Sequence, residues 1–253
     1  MNLLHGVNPV TRVAAIALAT TPLLLSLDWL SALVAIAVTL VLAPLCGLSL
    51  PALLRRSAPL LVIAPLTGIS MLLYARPGGR EYFSFLTIHI TDNSLMLALA
   101  VVLRVLAGVL PVLVLSAGID PTELGDGLAQ VWRLPARFVI ASVAAVRLLT
   151  LVRDDAASLR RARRARGVAD KGRLRGAFTL LFGLLVSSLR RGSKLAVAME
   201  ARGFGRTDIP RTWARPSTVG RRDAAALALW ALVPIIALGS AWGAGTWSFL
   251  GLG

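Results

Sequence analysis

The sequence predicts an all-α, polytopic membrane protein with about five transmembrane helices and a cytoplasmic domain of three amphipathic helices. Three observations predict it. Of the 253 residues 57% are hydrophobic and 15% charged, more apolar surface than a soluble domain of this length needs. Apolar runs of spanning length recur at about 10–27, 29–48, 58–75, 94–117 and 223–243. Residues 120–222 interrupt that pattern with a dense run of basic side chains. The chain therefore divides into 1–119 with four spans, the polar region 120–222, and 223–253 with a last span and tail.

The opening, Met1 to Asn8, is polar, and the first apolar run lacks a small-residue cleavage site. It reads as a retained membrane helix and not as a signal peptide. Leu27-Asp28-Trp29 makes a tight turn to the second span, which Pro51, Arg55 and Arg56 close. Arg76-Pro77-Gly78-Gly79-Arg80-Glu81 is a turn after the third span. The aromatic and β-branched piece Tyr82–Ile88 follows as a strand-like or interfacial loop. Arg104 falls about ten residues into the fourth span, where a cation needs a partner or a polar cavity. An interhelically bonded or snorkelling arginine is preferred there over a substrate ligand. Pro22, Pro65, Gly68, Gly108 and Pro111 mark kinks or close packing.

The polar region has its own grammar. Asp120-Pro121-Thr122-Glu123 starts a helix: Asp caps, Pro fits the first turn, and the acid meets the positive dipole end. That helix covers about 121–133 and ends before Pro135. From Ala136 to Arg166 there is neither Pro nor Gly, and Gly167 stops the run. A third helix, about 175–203, repeats the design, with Phe178 to Leu189 apolar, Arg190, Arg191 and Lys194 next, and Gly203 closing it. In both long helices one end suits lipid or protein and the other suits cytosol. The apolar half of 136–167 is shorter than a span and contains Arg147. These helices are therefore counted outside the five spans, with a sixth or seventh span left open.

Charge sets the orientation. The net charge of +15 comes from 27 Lys+Arg against 12 Asp+Glu. Placing Arg12, Arg55, Arg56, the 120–222 region, Arg221 and Arg222 in the cytoplasm satisfies the positive-inside rule with the N-terminus inside. The expected location is the cell inner (cytoplasmic) membrane, multi-pass. The basic excess points to anionic lipid and not to nucleic acid, since no soluble basic domain stands apart. Cys46 is the sole cysteine, which excludes an intramolecular disulfide and a thiolate cluster. Gly167–Gly172 and Gly192-Ser193-Lys194 lack phosphate-loop spacing, so ATP hydrolysis by this chain is not expected. Asp126-Gly127 lacks the later spaced aspartates of a membrane lipid phosphotransferase. Asp154-Asp155 reads as solvated charge or pairs with Arg near i+4. His5 and His89 have no evident companions.

The same three residues close both long helices: Ala165-Arg166-Gly167 and Ala201-Arg202-Gly203. A helix C-terminus explains either copy alone, with Gly in the left-handed cap and Arg at the negative dipole end. It does not explain why Ala-Arg precedes Gly twice on one face of the membrane. Small Ala admits a close partner surface, and the Arg fork suits carboxylates.

These residues resemble the transmembrane (T) component of energy-coupling factor (ECF) transporters, vitamin and metal-ion uptake machines driven by ABC-type ATPases. Asn8-Pro9-Val10-Thr11-Arg12 is similar to that family's opening before the first span, and Ala198-Met199-Glu200-Ala201-Arg202-Gly203-Phe204 to its second signature. The resemblance implies two coupling helices carrying Ala165, Arg166, Gly167 and Ala201, Arg202, Gly203, each docked on one of two ABC-type ATPase subunits. It also implies a small substrate-binding integral membrane (S) subunit as partner. Under this reading the chain is non-catalytic and binds no cofactor or metal, while ATP is used by the partner subunits. Two rival readings are a membrane-embedded enzyme acting on anionic lipid intermediates and a non-transport membrane scaffold.

Overall fold

A computed structural model describes residues 3–26, 28–74, 78–85, 88–167, 173–206 and 212–245. They form eight α-helices and one two-stranded hairpin, so the all-α expectation holds. The chain falls into two compact units, one of Met1–Ile119 with Thr218–Gly253 and the other of Asp120–Ser217.

The first unit contains α1 (Pro9–Thr20), a 3-10 turn (Pro22–Leu25), α2 (Trp29–Leu45), α3 (Leu50–Tyr74), α4 (Asp92–Leu115) and α8 (Arg221–Gly243). Its hairpin pairs β1 (Glu81–Phe85) antiparallel with β2 (Ile88–Thr91). Among the described residues α3, α4 and α8 are long and apolar enough to cross a membrane, and α1 and α2 are shorter apolar helices. At 1.5 Å per residue α4 runs about 36 Å and α2 about 25 Å. The family of spans is polytopic as expected, with the first two shorter than the others.

Packing in this unit depends on small residues. α4 packs on α1, α2 and α3, and α8 on α1 and α2. Ala15, Ala19, Ala32, Ala35, Ala43, Ala107 and Ala237 are buried along those contacts, where small side chains let helix backbones approach. Trp230, Leu23, Leu53 and Val114 fill the remaining space. Gly68 is a site of necessity. A Cβ there would stand 2.5 Å from Val102 Cγ2 and 3.3 Å from the Ala98 carbonyl oxygen on α4. Val102 is β-branched and stiff within a helix, and a backbone oxygen cannot turn aside. Gly68→Ala is expected to lower the melting temperature in detergent by a net loss of about 1–2 kcal/mol, overpacking outweighing the better helix propensity. An unchanged or raised melting temperature would show that α3 and α4 separate freely.

One expectation changes here. Pro51, Arg55 and Arg56 do not close the second span; they belong to the first turns of α3. The second span ends at Gly47, whose φ of +81° takes the left-handed conformation. Its cap is closed by Gly47 N–H to Pro44 O (3.1 Å) and Leu48 N–H to Ala43 O (3.1 Å). Proline then fits the opening turn of the next helix, where its missing N–H costs nothing. The Tyr82–Ile88 piece is strand-like as expected, though Leu86 and Thr87 lie outside the described residues, as do Leu27 and the Arg76-Pro77 part of the preceding turn.

The opening motif staples the first unit together. Asn8 caps α1, its Oδ1 accepting from Val10 N–H at 3.1 Å. Its own N–H donates to Asp223 Oδ1 at 2.7 Å and its Nδ2 to Thr218 O at 3.2 Å. Asp223 in turn accepts from Gly220 N–H at 2.8 Å and so caps α8. Arg12 donates to Ala117 O at 3.3 Å and to Leu4 O. One five-residue stretch thus ties the start of α1 to the start of α8 and the end of α4.

Arg104 finds the interhelical partner its position demands. Only 8% exposed, its Nη2 lies 3.4 Å from Asp28 Oδ1, 3.3 Å from Asp28 O and 3.2 Å from both Ser26 Oγ and Ser31 Oγ. Asp28 also caps α2, accepting from Ser31 N–H at 2.6 Å, from Ser31 Oγ at 2.8 Å and from Ser26 Oγ. The turn joining α1 to α2 therefore meets α4 near its midpoint.

Candidate coupling site

The second unit is built from α5 (Pro121–Gln130), α6 (Ala136–Ala165) and α7 (Arg173–Ala201). α5 starts as the sequence predicts: Asp120 accepts from Thr122 N–H at 2.7 Å. Hydrogen bonds from the Thr122 backbone and side chain hold the Asp120 carboxyl below the usual carboxylate range. α5 then lies close on α6. A Cβ on Gly125 would stand 2.3 Å from Val143 Cγ2, so no larger residue fits that crossing.

α7 is fastened to α6 by a charge that the sequence places differently. Asp155 does not pair with an arginine one turn along α6. It pairs with Arg191 of α7 at 3.2 Å, and Ser187 Oγ donates to it at 3.2 Å. Both carboxylate neighbours come from α7 because Asp155 lies on the half-buried face of α6, while Asp154 points outward. Past α7, the segment 212–217 returns to α5. Gln130 Nε2 donates to Arg215 O at 2.9 Å, Ser217 N–H donates to Gln130 Oε1 at 2.9 Å, and Arg215 pairs with Glu123 at 3.4 Å. The Arg215–Glu123 pair is exposed and contributes little energy; the two amide bonds of Gln130 set the register. Sequence reading missed this return, since a lone glutamine carries no pattern.

Both Ala-Arg-Gly copies adopt one geometry. Ala165 and Ala201 are the last residues of α6 and α7. Gly167 and Gly203 follow with φ of +64° and +77°. Gly167 N–H donates to Arg164 O at 3.0 Å, and Gly203 N–H to Glu200 O at 2.9 Å. At the second copy Phe204 N–H adds a bond to Met199 O at 2.9 Å, completing the double-bonded glycine cap. Residue 168, which would make the matching bond at the first copy, lies outside the described residues.

The cap accounts for glycine and for nothing before it. α2 closes on the same two bonds with Leu45-Cys46-Gly47, so neither Ala nor Arg is required by the turn. At the two tips Ala165, Arg166, Ala201 and Arg202 are all exposed. Among the described residues neither Arg166 nor Arg202 forms an ion pair. Each tip therefore offers a guanidinium with no ion partner among the described residues, set on a glycine turn beside a small residue.

Next to Arg202 a cavity of about 570 Å³ opens between the three helices, lined by Arg147, Arg191, Leu195, Met199 and Trp213 among others. Further along α7 the apolar half is uncovered: Phe178 is 71% exposed, Phe182 67% and Leu189 61%. With Leu181 and Leu185 these residues share one helix face, and a stripe of this size marks a contact surface.

A family model described as CbiQ, cobalt transport protein, matches residues 1–211 of this chain. The chain belongs to that family. Several relatives carry the name energy-coupling factor transporter transmembrane protein EcfT. The protein of Limosilactobacillus fermentum is 29% identical over 63% of this chain and 64% of its own length. That of Exiguobacterium sibiricum is 30% identical over 72% of this chain and 71% of its own. The EcfT 1 of Listeria monocytogenes is 26% identical over 80% of each chain. The resemblance carried by three short motifs thus extends over most of this CbiQ-family chain, and with it the assignment to membrane transport.

Proposed function

We propose that this chain is the energy-coupling transmembrane subunit of an ECF-type ABC importer for a vitamin or metal ion. The observation that carries the reading is the pair of glycine-capped helix ends that each present an exposed arginine, without an ion pair among the described residues, behind a small alanine. A member of the CbiQ family has use for two such ends if it works against two ATPase subunits.

In this reading residues 120–222 are the cytoplasmic coupling domain, and the N-terminus lies in the cytoplasm of a multi-pass inner-membrane protein. Arg166 and Arg202 each enter an acidic groove on one ATPase, with Ala165 and Ala201 allowing close approach and Gly167 and Gly203 fixing the turn. When the ATPases close on ATP, the two tips move together. Rigid helices transmit displacement along their length, and the Asp155–Arg191 tie couples α6 to α7. The uncovered Phe178–Leu189 face then shifts the small substrate-binding membrane subunit, delivering its cargo inward. The chain itself performs no catalysis and binds no cofactor; its partners consume the ATP.

The test is mild-detergent affinity purification of the wild type and the Arg166→Glu/Arg202→Glu double variant from native membranes. The expected result is two ABC-type ATPase subunits and a small membrane protein with the wild type, and no ATPase with the variant. Intact wild-type protein that brings down no ATPase would return the motif to helix capping alone and favour a scaffold or a lipid enzyme.

A further inference from the structure

α8 begins at Arg221, and a cavity of about 500 Å³ opens against its first three turns, lined by Leu3, His5, Cys46, Arg222, Leu229 and Trp230 among others. The wall changes character along the helix. Arg222 and His5 are exposed at one end. Leu229 and Trp230 lie some two turns deeper, about 12 Å along the axis at 1.5 Å per residue, within a helix apolar and long enough to span.

Each end presents a donor without an oxygen or nitrogen acceptor among the described residues. Among the described residues Arg222 forms no ion pair. Its guanidinium rests over Gly6, where a Cβ would stand 3.2 Å from Nη1, so the glycine leaves room for it at the mouth. Asp223 forms no ion pair with it; its two oxygens accept from the N–H groups of Asn8 and Gly220. At the inner end Trp230 is completely buried, and among the described residues its indole N–H meets no oxygen or nitrogen acceptor. It faces the sulfur of Cys46, a weak acceptor.

A fixed cation at the mouth, apolar walls beyond it and a membrane-spanning helix behind them match an amphiphile with an anionic head. We propose that this cavity binds one anionic phospholipid, its phosphate on Arg222 and an acyl chain between Leu3 and Leu229. Arg suits phosphate because its planar fork donates two parallel hydrogen bonds. The lipid supplies an acceptor for Arg222 at the mouth, and its chain lies along the apolar wall. The site is separate from the coupling tips and stands whether or not they dock ATPases.

The purified full-length chain in neutral detergent is titrated with short-chain phosphatidylglycerol or phosphatidylcholine and read by native mass spectrometry. Phosphatidylglycerol is expected to bind as a single retained adduct in preference to phosphatidylcholine. Arg222→Gln is expected to weaken it about fivefold, the effect of one interfacial arginine. Arg56→Gln, an exposed arginine outside the cavity, is expected to leave it unchanged. Millimolar inorganic phosphate is expected not to displace the lipid. Equal binding of the two lipids, equal loss in both arginine variants, or displacement by phosphate alone would each overturn the proposal.

Discussion

Replacing Arg202 with glutamate is expected to abolish uptake while the protein still folds and inserts. The fold has little stake in this side chain. Arg202 is exposed and unpaired among the described residues, and substitutions at such positions change stability by about 0.5 kcal/mol or less. Placing a negative charge at the negative end of α7 adds a penalty of about 0.3–1 kcal/mol. A docked interface responds on another scale. Reversing a buried, hydrogen-bonded charge costs about 2–5 kcal/mol in binding, or roughly thirty- to several-thousand-fold in affinity. Arg202→Gln separates the two roles more finely. It keeps a polar, helix-compatible residue at the cap, so capping predicts near-normal uptake, whereas docking predicts a large loss. Gly203→Ala is the converse probe, since a φ of +77° strains any L residue whatever the partner. Uptake in cells, with expression measured alongside, is the readout. Normal uptake in Arg202→Glu at normal expression would sink the coupling role.

What was legible in the sequence follows the range of the forces involved. Local features could be read: Asp120-Pro121 starts α5 through a bond two residues away, and Gly167 and Gly203 end α6 and α7 where a left-handed residue is needed. Hydropathy located α3, α4 and α8 because a spanning length of apolar residues leaves few alternatives. The boundary near residue 50 was misplaced because hydropathy averages over a window and loses a three-residue cap; Gly47 with Pro51 was the better signal. Long-range pairs could not be read. Asp155 reads in the sequence as solvated charge or as a pair within its own helix, but its partner Arg191 comes from the next one. Nothing near Asn8 announces that it binds Asp223. For the candidate site, the six motif residues and their glycine turns were visible. That Arg166 and Arg202 form no ion pair among the described residues was not, since that depends on where the carboxylates of the unit lie.

The Arg104–Asp28 pair shows how the two sides of one buried contact differ. Asp28→Ala is expected to destabilise the protein by about 3–5 kcal/mol, because it strands a buried guanidinium, and to remove the cap of α2 for about 1 kcal/mol more. Arg104 has no relief from that state. Its Nε and Nη1 already lack acceptors among the described residues, it is 8% exposed, and a guanidinium does not give up its proton inside a protein. Arg104→Met should cost less. Asp28 would retain the bonds from Ser31 N–H, Ser31 Oγ and Ser26 Oγ, and methionine has the length to fill the vacated channel. The Asp28→Asn/Arg104→Met double variant removes both charges while keeping a capping residue, and is expected to recover most of the stability lost in Asp28→Ala. Melting temperatures of the four proteins in one detergent give the ordering. If Arg104→Met proves the more damaging single change, the arginine has a role beyond answering Asp28. That role would lie in the bonds Arg104 makes to Asp28 O and Ser31 Oγ, which hold the α1–α2 turn against the middle of α4.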